Sequence, residues 1–451
     1  MKDDIEKILA TYPITLEAPH TMKAVNEAIN LYSGTISLQQ QNTTSDFIPG
    51  RIFLAWLPIP ETLFEIENFD QLVRLEDAEI KTSGTKLSYP VSVLSSTIPI
   101  GPCRGYVQDW EEPHDVLVDE IRFHLPNFHN YIGAPVRSTE GASWRGRLSL
   151  RHDQWLVVLD KIYHADRLKK TLETEGGFLF TNIGSIRHAS QQKFSLLKGI
   201  ELLDALYYFC SFARGDWCGP TLPIAFKDGD KVWFRVTPPR LRSWRYRLSW
   251  FPRNEYKQVD PICHAFSGFL SLWNTPAWQR PLRNAIHWYV EANSNAGGIE
   301  GGIILTQTAL ELLSWLYLVE DIETKQFEAK QFDKKKTKER IALFLQALSI
   351  TIEIPQDLNE LCSAARHLNI PDGPAILASL RNSIVHPHKE NRDTIENVGI
   401  KARIEALSLA LWHLEMALLR LFSYDGLYYS RLKSGVNTAI RQRVPWEEIQ
   451  E

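Results

Sequence analysis

Short apolar runs broken by clusters of Gly, Pro, Asn and Asp fill residues 30 to 190: RIFLAWLPIP, VLVDEIRFHL, GRLSL, QWLVVLD and GFLFTNIGSI. In VLVDEIRFHL, Ile121, Phe123 and Leu125 alternate with polar neighbours, the period of a half-buried strand. Runs of this kind predict a mostly antiparallel β region. At QKFSLLKGIELLDALYYFCSFARG the spacing changes to three and four, with Leu196, Ile200, Leu203, Tyr207 and Cys210 on one stripe. That is a helix, with Gly215 as its stop. LRSWRYRLSW alternates again: Trp244, Tyr246, Leu248 and Trp250 on one face, Ser243, Arg245, Arg247 and Ser249 on the other. A β-ribbon is expected there.

From about 262 to 424 the pattern is almost wholly helical, with candidate helices at 262–274, 282–293, 303–320, 338–349, 356–368, 374–386 and 400–422. The last carries Ile404, Leu407, Leu411, Leu414, Leu418 and Leu421 at steps of three and four, a bundle stripe. KQFEAKQFDKKKTKER is expected to be a solvated charge run, and AGGIEGG a flexible connection between helices. The predicted fold class is α+β: a β-rich domain over 1–190, a helix plus basic, aromatic ribbon over 191–261 packed with it, and a helical bundle over 262–451.

The length of 451 residues fits two or three domains. At 44 % apolar and 23 % charged residues, the composition is that of a soluble globular protein. The net charge of −4 singles out no partner, since basic patches hide inside a neutral total. The five cysteines are scattered, none in CxxC spacing, so neither a zinc site nor a disulfide framework is indicated. The start, MKDDIEKILATYPI, lacks a signal-peptide pattern. The apolar run IEALSLALWHLEMALLRLF carries Glu405, His413, Glu415 and Arg420, as a bundle helix rather than a membrane span would. A cytoplasmic protein with no membrane partner is expected. AGGIEGG lacks the Lys-Ser/Thr of a P-loop, and no G-x-S-x-G, HExxH or EF-hand pattern occurs.

The stretch RNSIVHPHKENR, 381 to 392, carries the candidate chemistry. Asp372 is an acceptable N-cap, and Pro374 is tolerated in a first turn. Ile376, Leu380 and Ile384 form the buried stripe, with Arg381 at its border. Pro387 disfavours helix for His386, which places that histidine at a helix C-terminus. The helix dipole there favours the imidazolium form and a nearby Arg381 opposes it. One reading is a catalytic arginine–histidine pair. The other is a solvated helix arginine and a polar cap.

The pattern Arg381-Asn382-x-x-x-His386, in a helical region and before one long final helix, resembles the HEPN superfamily. Its signature is an arginine, often followed by a polar residue, and then a histidine. The resemblance covers roughly residues 262 to 424. A HEPN domain joined to another N-terminal region also resembles the layout of bacterial abortive-infection proteins of the ApeA kind. The resemblance implies a metal-independent endoribonuclease that needs no cofactor, acting in phage defence or as a toxin, with the N-terminal region as sensor or regulator. It also implies an RNA substrate, a homodimer with a composite site, and an antitoxin or phage-derived trigger. Histidine suits proton transfer near neutral pH, and the arginine fork matches phosphate oxygens. Asn382 would bond phosphate or hold the histidine tautomer. The alternative is a non-catalytic bundle that dimerises and binds nucleotide or RNA.

Three further features have two readings each. Gln307, Glu311 and Ser314 form a polar stripe on an apolar helix; either Glu311 pairs with Arg381 or orients His386, or the stripe faces solvent. In KVWFRVTPPRLRSWRYRLSWFPRNEYK, Arg242, Arg245 and Arg247 could contact RNA phosphates while aromatics stack on bases. The milder reading puts the aromatics in a core and the arginines outside. In HPHKE, His386, His388 and Glu390 could ligate a metal, but two histidines and one acid near each other are poor evidence, and no metal is expected.

Overall fold

The computed structural model describes residues 9–41, 43–69, 74, 76–83, 88–96, 100–108, 115–163, 165–251, 259–386, 388, 398–432 and 441–447. The chain is mixed α+β, β-rich towards its N-terminus and helical towards its C-terminus. It divides into two compact units. One comprises Met1–His129, Gly133–Tyr207 and Cys218–Tyr246; the other comprises Asn130–Ile132, Tyr208–Trp217 and Arg247–Glu451. Residues 191–261 are thus shared between the units rather than assigned to the N-terminal one.

The first unit begins with a six-stranded antiparallel barrel. Its strands are β1 (Ile29–Gln40), β3 (Ile48–Ala55), β4 (Glu61–Phe69), β5 (Asp77–Thr82), β6 (Ser88–Ser96) and β7 (Gly101–Val107), with the short β2 (Thr43–Thr44) added to β1. The order β1-β3-β4-β7-β6-β5 closes where Ile36 and Leu38 pair with Thr82 and Ile80. Alternate residues point inwards, so Ile36, Leu38, Ile52, Phe64, Ile66, Ile80, Val91 and Cys103 fill the interior. Closure removes the sheet edges that would otherwise be left unpaired.

The same unit continues into a second antiparallel sheet. It is built from β9 (Glu120–Pro126), β10 (Ala134–Arg137), β11 (Ser143–His152), β12 (Trp155–Lys161), β13 (Phe180–His188), β15 (Thr221–Lys227) and β16 (Asp230–Phe234), in the order β10-β11-β12-β13-β9-β15-β16. A small separate pair is formed by β8 (Leu117–Val118), just before β9, and β14 (Phe194–Ser195), after β13. Helix α1 (Ala165–Glu175) connects β12 to β13, and α2 (Leu196–Arg214) follows β14. Barrel and sheet share a core in which Leu54 and Trp56 meet Phe178, Phe180 and Leu222.

Two local expectations change here. Strand β9 is not half-buried: Ile121, Phe123 and Leu125 are covered, and so are Glu120 and His124 on the opposite side. Its central position in the sheet, between β13 and β15, explains this. In α2 the buried set is wider than one stripe, taking in Leu202, Ala205, Leu206, Phe209 and Phe212, while Ile200 and Tyr207 are only half-buried. The helix does stop at Gly215, whose φ of +71° suits glycine.

LRSWRYRLSW forms no ribbon; after β16 the chain to Trp250 has no ladder. Trp244 and Trp250 are buried, but Tyr246 and Leu248 are 66 % and 43 % exposed, so the four do not share a face. The backbone groups find other partners. The Trp244 amide donates to the Gly177 carbonyl, and the carbonyls of Arg242 and Leu248 accept from Asn127 and Asn293 side chains. Alternation specifies a strand only where a neighbour completes the ladder.

The second unit holds α3 (Val259–Trp273), α4 (Pro276–Asn293), α5 (Gly298–Trp315), α6 (Ala329–Phe332), α7 (Thr337–Ala347), α8 (Asn359–His367), α9 (Gly373–Val385) and α10 (Ile400–Leu421). A hairpin of β17 (Leu427–Tyr429) and β18 (Arg441–Arg443) follows. The seven predicted helices are present with shifted ends. Helix α5 is central and packs against α4, α7, α9 and α10. Gly301 and Gly302, expected in a flexible connection, lie inside α5; a side chain at Gly302 would collide with Leu407 of α10. The charge run is not wholly solvated either, because Phe332 of α6 is fully buried. One helical stretch, Gly298–Glu320, is long and apolar enough to cross a membrane, and most of it is buried by its neighbours in this unit. All five cysteines are free thiols.

Candidate functional site

Helix α9 starts as expected: the Asp372 carboxylate accepts from the Ala375 amide at 2.8 Å, with Pro374 in the first turn. Ile376, Leu377 and Leu380 are buried against α5, α7 and α10, whereas Ile384, expected on the same stripe, is half-buried. The helix ends at Val385. His386 leaves the helical region with φ −114° and ψ 89°, while its amide still donates to the Asn382 carbonyl at 2.9 Å. The extended backbone is what a residue before proline adopts; Pro387 itself lies outside the described residues.

The motif's three side chains therefore sit on the last turns of one helix. Arg381 is half-buried, Asn382 and His386 are exposed, and an Arg381 Nη1–H donates to Asn382 Oδ1 at 3.2 Å. Asn382 precedes His386 by four residues, one helical turn, so both belong to the same side of the helix end. A fixed cation, an amide and an imidazole are thus gathered at one exposed end. That set can hold a phosphate and exchange a proton.

Glu311 is not joined to this group. No ion pair or hydrogen bond links its carboxylate to Arg381 or His386. The stripe does not face solvent either. Gln307 and Ser314 are 1 % and 0 % exposed, and Ser314 donates to the Glu311 carbonyl. Both amide atoms of Gln307 are buried without a protein partner among the described residues. Helices surround α5 on several sides, so even its polar positions are covered.

The three arginines of the basic segment are not equivalent. Arg245 is exposed and Arg242 half-buried. Arg247 is held through Nε by the buried Asp216 carboxylate at 3.2 Å and through Nη2 by the Ser294 carbonyl, a structural engagement. Arg253 and Lys257, at the end of that segment, lie outside the described residues, as does Glu390 of the HPHKE group. Among the described residues, no three His, Cys, Asp or Glu side chains are grouped to hold a metal.

A second polar centre lies in the bundle, around one of the charged residues of the long apolar final helix. Glu415 of α10 is fully buried, accepts from Tyr289 of α4 at 2.5 Å, and is bracketed by Arg431 at 2.8 and 2.6 Å. Burial, and then the Glu415 charge, push the Tyr289 hydroxyl well above its ordinary range. Arg431 also reaches the Asn293 side chain and the Leu248 carbonyl. The network ties the C-terminal segment to two helices, and its enclosure fits a structural role. Nearby in sequence, His413 is buried and its imidazole is lowered to about 4 by burial, partly offset by the Thr351 carbonyl.

Comparison with known proteins separates the same regions. Residues 114–247 match the family described as the YopA central domain, and residues 275–442 match the YopA C-terminal domain. The first match ends at residue 247, one residue past the end of the first unit at Tyr246. The second contains α9 and its motif. Over 452 aligned residues the chain is 26 % identical to the "SPbeta prophage-derived uncharacterized protein YopA" of Bacillus subtilis (strain 168), covering 96 % of this chain and 98 % of that one. No solved structure matches the chain.

Proposed function

We propose that the helical unit is a metal-independent endoribonuclease of HEPN-like type, with Arg381, Asn382 and His386 as its site. One observation carries this reading: a cation, an amide and an imidazole share the exposed end of α9, with Arg381 bonded to Asn382. RNA supplies its own nucleophile, the 2′-hydroxyl, so the protein need only move protons and stabilise charge. His386 takes the 2′-hydroxyl proton as the oxygen attacks phosphorus, while Arg381 binds the non-bridging oxygens on which charge develops. Asn382 orients the Arg381 fork. The 5′-oxygen leaves and requires a proton in turn, giving a 2′,3′-cyclic phosphate and a 5′-hydroxyl. One chain offers one such histidine, so a homodimer that brings two α9 ends together would supply base and acid separately. The likeness to a prophage-derived protein is in keeping with a role in conflict involving phages, with the β-rich unit as regulator.

The test is cleavage of single-stranded RNA by purified full-length protein in the presence of a chelator. Arg381→Ala and His386→Ala should each lose roughly a hundredfold or more in rate while keeping the wild-type melting curve. The products should carry cyclic phosphate and 5′-hydroxyl ends. Wild-type cleavage by either variant would overturn the assignment. RNA binding without cleavage would favour the non-catalytic module.

A further inference from the structure

On one face of the second sheet, three arginines surround a cavity of about 270 Å³: Arg122 from β9, Arg187 from β13 and Arg147 from β11. Leu16 and Val158 give its walls apolar area, and Glu17 stands at its edge. The face follows from strand register. Arg122 pairs with Ser185, which pairs with Val158, which pairs with Ser149, so these positions and those two residues away point the same way.

Each guanidinium is fixed from behind by a buried carboxylate. Glu120 accepts from Arg122 Nε at 3.0 Å, from Arg187 Nε and Nη2 at 3.0 and 2.6 Å, and from Ser185 at 2.5 Å. Asp160, fully buried, accepts from Arg147 Nε and Nη2 at 2.8 and 2.7 Å and from the Leu16 amide at 2.8 Å. Arg122 is further braced over the Phe226 ring, 4.9 Å from its centre. Both η nitrogens of Arg122 and the Nη1 of Arg147 and Arg187 then have no protein hydrogen bond among the described residues. Orientation has been settled by the buried carboxylates, and donors remain.

The charge balance shows what is missing. Three guanidiniums stand against two buried carboxylates. The third negative charge is Glu17, whose side chain is 89 % exposed and which approaches Arg122 only to 3.6 Å. Such a solvated pair is worth little and is easily displaced. A tetrahedral dianion offers three oxygens to three forks, as guanidinium recognition of phosphate requires. The cavity is far larger than a bare phosphate needs, and is just under the roughly 300–1,000 Å³ of pockets for drug-sized ligands.

We infer that this cavity is a binding site for a small phosphomonoester of mononucleotide size, with its phosphate on Arg122, Arg147 and Arg187 and its body against Leu16 and Val158. The site belongs to the β-rich unit and is independent of any ribonuclease activity. Calorimetric titration of the full-length protein with adenosine 5′-monophosphate, adenosine and inorganic phosphate tests it. The monophosphate should bind once per chain, more tightly than phosphate, and adenosine should not bind. Arg187→Gln should weaken binding roughly tenfold or more. Glu17→Gln, at an exposed residue the fold does not use, should tighten it. Arg381→Ala should leave it unchanged, so failure here and failure of the ribonuclease reading remain distinguishable. If Arg187→Gln does not fold, Val158→Phe, which fills the cavity and keeps every charge, decides in its place by abolishing binding. The proposal is overturned if the monophosphate does not saturate, if adenosine binds as well, or if phosphate binds as tightly. Unchanged affinity in Glu17→Gln, or in whichever loss variant folds, also overturns it.

Discussion

The sheet face around Arg122, Arg147 and Arg187 and the end of α9 around Arg381 and His386 both offer guanidinium groups, but they hold them in opposite ways. On the sheet, two carboxylates exposed to 7 % and 0 % fix the forks before any ligand arrives. On α9, the polar partner of Arg381 among the described residues is the neighbouring exposed Asn382, at 3.2 Å. The first arrangement ties ligand recognition to the stability of the unit, since removing a carboxylate strands a charge. The second costs the fold almost nothing and leaves the arginine able to change its orientation. A site completed from outside can be loose; a site complete within one chain is built in advance.

The largest expected effect is on the sheet. Asp160→Asn should cost roughly 3–5 kcal/mol, because Arg147 and the Leu16 amide lose a buried anionic partner. Calorimetry of the full-length chain reads this as a lower midpoint for the affected transition. An Asp160 variant that melts like the wild type would erase the contrast.

Next comes pH, through a buried group of the helical unit. The His413 imidazole is held down to about 4 in the folded chain, chiefly by burial, against about 6.5 when unfolded. Between those values the unfolded chain binds a proton that the folded chain refuses. Stability is therefore complete above about pH 6.5 and falls as pH drops towards 4, by roughly 3 kcal/mol for this site. His413→Leu should flatten the slope of melting temperature against pH over that window. An unaltered slope would show that the imidazole does not carry it.

A smaller effect of opposite sign is expected at Gln307, whose amide atoms are buried without a protein partner among the described residues. Gln307→Met should stabilise the chain by about 1–2 kcal/mol, measured by denaturant unfolding; a loss of stability would mean that the amide is satisfied in solution. The smallest effects belong to the α9 motif. Asn382→Ala and His386→Ala, at exposed positions, should shift stability by less than about 0.5 kcal/mol. A large shift would place these residues with the structural polar groups instead.

Much of the helical unit could be read from spacing, because helix periodicity is local and each turn repeats the same demand. The seven bundle helices, the Asp372 cap, the stop at Gly215 and the exit from helix at His386 all follow from nearby residues. The Arg381, Asn382 and His386 grouping was legible for the same reason: its members lie within six positions of one another. LRSWRYRLSW shows the limit. Its alternation was real, but no neighbouring strand received it, and its carbonyls went to Asn127 and Asn293 instead.

The sequence by itself determined the β-rich to helical order, the presence of the bundle helices and the candidate motif, all set by contacts within a few residues. Tertiary structure alone decided that β1 closes on β5 and that Glu415 meets Tyr289. It also decided that Arg122, Arg147 and Arg187 share one cavity. Those pairings join residues far apart in the chain. Sheet register and helix packing select them, and no local pattern encodes which distant partner a side chain will find.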